Sequence, residues 1–122
     1  MERILIIEGE PNLRGELASA LTEAGFSVIK AGNVLEGLKK AYGSRPDLAI
    51  MASELPLVNG VLYLRQTSYL PILVLGNYEE MNDMLELGAD AYMTKPPSLV
   101  ELVSRVRSLL RRKPRHDPRS DN

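Results

Sequence analysis

Short apolar runs alternate along the chain with segments whose apolar residues recur at helical spacing. Residues 4–7 are apolar throughout, which predicts a strand buried on both faces. Four later runs predict further strands, at residues 26–31, 47–52, 71–75 and 91–94. Ser27 and Lys30 interrupt the second run, so we expect this strand to lie nearer an edge of the sheet.

The segments between these runs predict helices. In the first helix apolar residues recur from Leu13 to Ala24, and we expect Asn12 to cap it, with Pro11 just outside and Gly25 at its end. The second helix is predicted at residues 33–42, with Leu35 and Leu38 inward and Gly43 at its end. Shorter helices are predicted at residues 61–67 and 81–87. The last helix, residues 98–112, has an apolar stripe of Leu99, Leu102, Val103, Val106, Leu109 and Leu110.

Five strands that alternate with five helices predict an α/β fold with a parallel sheet and helices on both faces. In such sheets the functional site lies beyond the carboxyl ends of the strands. We expect one folded domain over residues 1–112. From Lys113 the sequence KPRHDPRSDN is polar and has no periodicity, so residues 113–122 are predicted to be a tail or the start of a linker.

Composition narrows the classes of function. The 122 residues are 44% hydrophobic with a net charge of -1, which gives no general attraction to nucleic acid or membranes. The chain has no cysteine and a single histidine, His116 in the polar tail, so thiol chemistry and a histidine-rich metal site are excluded. No apolar run approaches the ~18–20 residues of a membrane span. The first strand follows Met1 almost directly, so we expect a cytoplasmic domain without a signal peptide.

Two segments carry a family resemblance. GADAYMTKP (residues 88–96), which is followed by SLVELVSRVRSLLRR, and PDLAIMASELPLVNG (residues 46–60) resemble the CheY-like receiver domains of bacterial response regulators, in particular those of the OmpR/PhoB type. The resemblance covers about residues 3–112. It implies a flavodoxin-like (βα)5 fold with strand order 2-1-3-4-5 and a function in two-component phosphorelay signalling.

The resemblance also implies four chemical positions at the carboxyl edge of the sheet. The aspartate that takes the phosphoryl group corresponds to Ala52, whose methyl group is not a nucleophile. The acidic pair that holds Mg²⁺ corresponds to Glu8 and Gly9, so one carboxylate remains and at most weak Mg²⁺ binding at Glu8 is expected. The hydroxyl residue after the fourth strand corresponds to Gly76. The lysine that pairs with the phosphate is retained as Lys95.

Other residues near this edge have two interpretations each. Lys95 is expected to pair with Glu8, although a solvated loop acid is the alternative for Glu8. Tyr92 corresponds to the switch aromatic of the fifth strand, and its alternative is a half-buried structural residue. Glu54 either imitates the charge of a phosphate or is solvated. Strand alternation predicts that Ser53 points to the other side of the sheet. No cofactor is expected.

A dimer surface is implied by the same resemblance. Receivers of this type form two-fold dimers through the last helix, the fifth strand and the preceding helix. At that surface the resemblance suggests ion pairs between subunits among Asp90, Glu101, Arg105 and Arg107, with an ordinary solvated helix face as the alternative. Ala91 replaces an acid there, so the network is expected to be incomplete. Contact with DNA is expected only through an output domain beyond these residues.

Three functions remain open from the sequence. The first is a non-enzymatic receiver that is not phosphorylated at the usual position and serves as a protein–protein interaction and dimerisation module, in transcriptional regulation. The second is a phospho-switch with a substitute acceptor residue. The third is a receiver that senses a small molecule in the vacated pocket.

Overall fold

The computed structural model describes residues 1–53 and 70–112 of the chain. Its strands are β1 (Arg3–Ile7), β2 (Ser27–Ala31), β3 (Leu48–Ala52), β4 (Ile72–Gly76) and β5 (Ala91–Thr94). Its helices are α1 (Pro11–Glu23), α2 (Val34–Ser44), α3 (Met81–Glu86) and α4 (Leu99–Arg111), with a 3-10 turn (Tyr78–Glu80) before α3. The predicted helix at residues 61–67, Glu54 and the tail at residues 113–122 lie outside the described residues.

The five strands form one parallel sheet in the order β2-β1-β3-β4-β5, which confirms the order implied by the resemblance. Helices α1 and α4 cover one face of the sheet, while α2 and α3 cover the other. The strand order reverses between β1 and β3, because β2 lies on one side of β1 and β3 on its other side. This is the position at which α/β sheets of this kind bind ligands.

The edge position of β2 and the inner face of α4 are both confirmed. Three of the five β2 residues are only partly buried, as is usual for an edge strand. Three residues of α4 are buried against the sheet, namely Leu102, Val106 and Leu109. The other apolar residues of the predicted stripe pack against the same core. The period of the apolar residues was therefore sufficient to place this helix.

The start of α1 differs from the prediction, because Glu10 caps the helix in place of Asn12. The Glu10 carboxylate accepts from the backbone N of Asn12 at 3.0 Å and of Leu13 at 2.7 Å. Pro11 is the first helical residue, where no N–H partner is needed. Gly25 follows the end of the helix with φ 99°, as predicted.

Two predictions for α2 are wrong. The helix continues through Gly43 to Ser44, and Arg45 ends it in the left-handed region at φ 49°. Leu35 is 59% exposed, because the buried positions of this helix are Val34, Gly37 and Ala41. A small residue is required at position 37, where an added Cβ would lie 3.3 Å from Cγ2 of Ile7 and closer still to other atoms of that side chain.

We expect Gly15→Ala to stabilise the protein by about 0.5–1 kcal/mol in urea unfolding, since alanine loses less backbone entropy than glycine in a helix. Gly15 lies within α1, and a Cβ built there meets nothing within 4 Å. Gly25→Ala is the matched control and should destabilise the protein, because its φ of 99° disfavours any side chain. A destabilised Gly15→Ala protein would contradict the exposed position of that residue.

The Glu10 cap gives an expected pH dependence. The backbone hydrogen bonds from Leu13 and Asn12 lower the pKa of the Glu10 carboxyl below its usual 4.5. A lowered folded-state pKa stabilises the protein above the unfolded pKa, and this stabilisation disappears as the pH falls through the folded value. We therefore expect Glu10→Gln to be less stable than the wild type near neutral pH, with the difference closing as the pH falls below 4.5 and through the lowered folded-state pKa. Urea unfolding of both proteins at neutral and at acid pH measures this difference, and a difference that persists in acid would contradict the cap.

Candidate functional site

The carboxyl edge of the sheet brings together the residues that the resemblance selects. Glu8 and Gly9 directly follow β1, and Ala52 is the last residue of β3. Gly76 is the last residue of β4, while Lys95 directly follows β5. The register pairs Ala52 with Leu75 in β4 and Gly76 with Thr94 in β5, so these chain ends are neighbours along one edge.

Glu8 and Lys95 form an ion pair in which the glutamate is buried and the lysine side chain is 22% exposed, which confirms the pairing expected from the sequence. The Glu8 side chain is almost fully enclosed, with 2% of the residue exposed. Its Oε1 lies 2.7 Å from Nζ of Lys95, and its Oε2 accepts from the backbone N of Glu10 at 3.0 Å. The backbone N of Lys95 donates to the carbonyl of Gly76 at 2.9 Å. Hydrogen bonds to or from the backbone therefore position both Glu8 and Lys95, in addition to the attraction between their charges.

Arg14 also contacts this loop, although sequence reasoning did not select it. Its Nη1 donates to the carbonyl oxygen of Glu8 at 2.9 Å, from the end of the first turn of α1. A Cβ at Gly32, after β2, would come within 3.2 Å of the same nitrogen. The guanidinium therefore lies between the first two strand ends and fixes the loop that carries Glu8.

The site does not fit the Mg²⁺ ion that this kind of fold implies. Mg²⁺ requires near-octahedral oxygen ligation, usually with one or two free carboxylates. The oxygens of Glu8 already contact Lys95 and the backbone of Glu10, while Gly9 and Ala52 have no ligand atoms in their side chains. Within residues 1–53 and 70–112, no group of three or more acidic or histidine side chains is placed to hold a metal ion.

Ser53 follows β3 and lies on the face of the sheet that also carries Ala49 and Met51, as strand alternation predicts. On that face its side chain approaches Gly76 and Tyr92. The backbone N of Ser53 donates to the carbonyl of Leu75 at 2.8 Å. Its hydroxyl is buried beside Gly76 and makes no hydrogen bond to the described residues.

Tyr92 is turned into the protein. Only 8% of the residue is exposed, and its hydroxyl donates to the carbonyl oxygen of Asn77. A Cβ built on Gly76 would lie 2.9 Å from Cβ of Ser53 and closer still to the hydroxyl oxygens of Ser53 and Tyr92. The space next to this glycine is therefore filled by two neighbouring side chains. A glycine inside a strand often indicates such a close approach.

The charged residues selected for a dimer surface do not all lie on one side of α4. Glu101 and Arg105 form an exposed pair one helical turn apart, with 3.5 Å between Oε1 and Nη2. The Asp90 carboxylate accepts from the backbone N of Ile72 at 2.7 Å, at the start of β5. Arg107 lies on the other side of the helix, where its Nη2 donates to the carbonyl of Ala24 after α1 at 3.3 Å. Positions 105 and 107 are about 200° apart around a helix, which explains the separation.

The fold and the arrangement of this edge can be compared with known proteins. The sequence model of the response regulator receiver domain matches residues 4–107. The chain belongs to this family. None of the helices in the described part of this receiver has the length and apolar sequence needed to cross a bilayer.

Curated relatives of the receiver include transcriptional regulators. It is 44% identical over 117 residues to the transcriptional regulatory protein CusR of Escherichia coli strain K12, covering 90% of this chain and 52% of CusR. It is 40% identical over 118 residues to the alkaline phosphatase synthesis transcriptional regulatory protein PhoP of Bacillus subtilis, covering 91% of this chain and 49% of PhoP. The chain thus spans about half the length of these relatives.

Solved receiver structures show the same fold. A putative response regulator from Chloroflexus aurantiacus superposes with a TM-score of 0.85 at 30% identity, covering 90% of this chain and 98% of that chain. The receiver domain of the TMAO respiratory system response regulator TorR gives a TM-score of 0.84 at 33% identity, covering 93% of this chain and all of that one.

Proposed function

We propose that this receiver acts in two-component-type signalling without phosphorylation at the usual position. In this role it is a non-enzymatic protein–protein interaction and dimerisation module of transcriptional regulation. The observation that carries the proposal is the ion pair between the buried Glu8 and the partly exposed Lys95 beside Ala52. The lysine that the resemblance assigns to the phosphate is already neutralised within the protein, and the residue at the end of β3 has no group that accepts phosphate.

The other two functions fit the site less well. A substitute acceptor would need an accessible nucleophile and a metal site, whereas the Ser53 hydroxyl is buried and the Glu8 carboxylate is occupied. A small-molecule sensor would need the volume left by the missing side chain of Gly76. Ser53 and Tyr92 fill that volume.

Incubation with acetyl phosphate and Mg²⁺, followed by intact-mass analysis, tests the proposal. We expect the protein to keep its unmodified mass under conditions in which a receiver with an acceptor aspartate gains one phosphoryl group. An adduct of one phosphoryl group on the wild-type protein would contradict the proposal. A ligand screen by thermal shift covers the third function, because binding to the folded state raises the Tm.

The dimer is proposed to form through the surface that Asp90, Glu101 and Arg105 share at β5 and α4, which we call the α4 face. The segment that precedes β5 carries exposed apolar side chains, since Tyr78 in the 3-10 turn is 72% exposed and Leu85 in α3 is 40% exposed. Receivers that assemble without phosphate need only a resting conformation that already favours the contact. Arg107 is left out of this surface, because it contacts the end of α1.

We expect Arg105→Glu to weaken the dimer by at least about tenfold in Kd, since two-fold symmetry places each reversed charge in the contact twice. Light scattering over a range of concentrations measures the change. The double variant Glu101→Arg, Arg105→Glu should recover part of the affinity if these two residues pair across subunits. Arg107→Glu is the matched control and should leave the dimer unchanged. A wild-type protein that remains monomeric at high micromolar concentration would remove the dimer from the proposal.

A further inference from the structure

Two surfaces of this receiver lie at opposite ends of one helical layer. Helix α2 packs on β1 and on β2, which is one edge strand of the sheet. Helix α3 packs on β5, the other edge strand, and both helices cover the same face of the sheet. The width of the sheet therefore separates the outward sides of α2 and α3 in one molecule.

The surface at α2 is basic. Lys39 and Arg45 are exposed there, and Lys30 of β2 is exposed beside them, since Nζ of Lys40 donates to its carbonyl at 2.6 Å. Within the described residues, the side chains of Lys30, Lys39 and Arg45 form no ion pair. Glu36, the one acid of the helix, lies 3.1 Å from Lys40 and is neutralised by it. The positive charge at this end of the layer is therefore open to a partner.

Two large apolar side chains are exposed next to these charges. Leu35 is 59% exposed and Tyr42 is 90% exposed. They are two helical turns apart with Lys39 between them, so the three residues share one side of α2. An apolar stripe bordered by charge is typical of an interaction surface. We call this surface the basic end, which consists of Lys30, Leu35, Lys39, Tyr42 and Arg45.

The surface at α3 has the complementary chemistry. The segment YEEMNDMLE (residues 78–86) contains four acidic residues and no basic one. Its exposed acids form no ion pair with the described residues, and Tyr78 and Leu85 are its exposed apolar side chains. Of the six large apolar side chains that are exposed in residues 1–53 and 70–112, four thus lie on these two surfaces. We call the second surface the acidic end, which consists of Tyr78, Glu79, Asp83, Leu85 and Glu86.

We propose that the basic end of one copy of this chain docks on the acidic end of a second copy. Opposite charges and exposed apolar side chains meet in this contact, so electrostatic attraction and apolar burial act together. The occupant is a second copy because every copy presents both ends. The contact is heterologous, so each pair keeps one free end of each kind and further copies add to it.

This contact goes beyond the proposed function and differs from the two-fold dimer. In that dimer the same residues of both copies meet at the α4 face, whereas here α2 of one copy meets α3 of the other. Arg105→Glu is expected to weaken the two-fold dimer and leaves both ends unchanged, so it serves as the parent protein for the test. A phosphoryl adduct would sink the proposed function and leave this contact standing.

Charge reversal at each end of the parent protein tests the contact. Lys30→Glu with Lys39→Glu reverses the basic end, while Asp83→Lys with Glu86→Lys reverses the acidic end. In light scattering over a range of concentrations at low ionic strength, we expect the parent to self-associate and each reversed variant to have a Kd at least about tenfold higher. A parent protein that stays monomeric at high micromolar concentration would overturn the contact.

Mixing the two reversed variants distinguishes this contact from a two-fold one. Neither variant docks on itself, yet the unchanged acidic end of the first can meet the unchanged basic end of the second. We expect an equimolar mixture to recover an association close to that of the parent, which also shows that both variants are folded. Variants that each lose association and do not recover it on mixing would show that these ends do not dock on each other.

Glu16→Lys with Glu23→Lys is the matched control, because it changes the net charge as much as the acidic-end variant does. Both residues are exposed on α1, which covers the opposite face of the sheet. This control should associate like the parent. A loss equal to that of the acidic-end variant would trace the effect to net charge and contradict the contact.

Discussion

Lys95→Met is expected to lower the free energy of unfolding by about 2–4 kcal/mol. Removing one partner of a fully buried ion pair costs about 3–5 kcal/mol, and the 22% exposure of the Lys95 side chain reduces this loss. The Glu8 residue is 2% exposed, and within residues 1–53 and 70–112 it would retain the backbone N–H of Glu10 as its polar partner. Methionine preserves most of the packing of the lysine stem, so the loss reports on the charge. Urea unfolding at a single low protein concentration measures it.

Lys40→Met is the matched control, because it makes the same replacement in an exposed pair. Lys40 lies 3.1 Å from Glu36 one helical turn earlier in α2, and both side chains are more than 40% exposed. We expect a loss of no more than about 1 kcal/mol there. Equal losses in the two variants would mean that the pair of Glu8 and Lys95 is not specially buried in solution, and the central observation of the proposed function would fail.

Restored phosphorylation of a double variant, Gly9→Asp with Ala52→Asp, is the second large effect that we expect. The change supplies an acceptor carboxylate at the end of β3 and a second acidic ligand after β1, next to Glu8. With three carboxylates at one edge, Mg²⁺ can compete with Lys95 for oxygen ligands. We expect a single Mg²⁺-dependent phosphoryl adduct with acetyl phosphate, where the wild-type protein shows none.

Two variants make this experiment specific. Ala52→Asp alone should give little adduct, because Gly9 leaves Mg²⁺ with too few free carboxylates. Gly9→Asp with Ala52→Asn keeps the size of the residue at the end of β3 but removes the nucleophile, so it should remain unmodified. A folded double variant that never accepts phosphate would show that the loss of input chemistry extends beyond these two positions.

Much of this fold could be read from the period of the apolar residues. The β1 run is buried at every apolar position, and the apolar stripe of α4 lies against the sheet as predicted. Local patterns were less informative where two neighbouring residues compete for one role. Glu10 and Asn12 are both able to cap a helix, and Leu35 and Val34 are both able to face a core. Which residue caps the helix, and which one faces the core, depends on the direction in which the chain enters each helix.

The sequence by itself determined the class of fold, and it placed the methyl group of Ala52 and the charges of Glu8 and Lys95 at or just after the ends of strands. These placements follow from the period of the apolar residues and from residue identity, which are properties of the chain alone. The tertiary structure decided the close approach of Ser53 to Gly76, the side of α4 that Arg107 takes and the filling of the space beside Gly76 by Tyr92. These depend on which side chains from separate strands and helices meet within a few ångströms. Distances of that kind are set when the whole sheet and its helices pack together, and no local pattern encodes them.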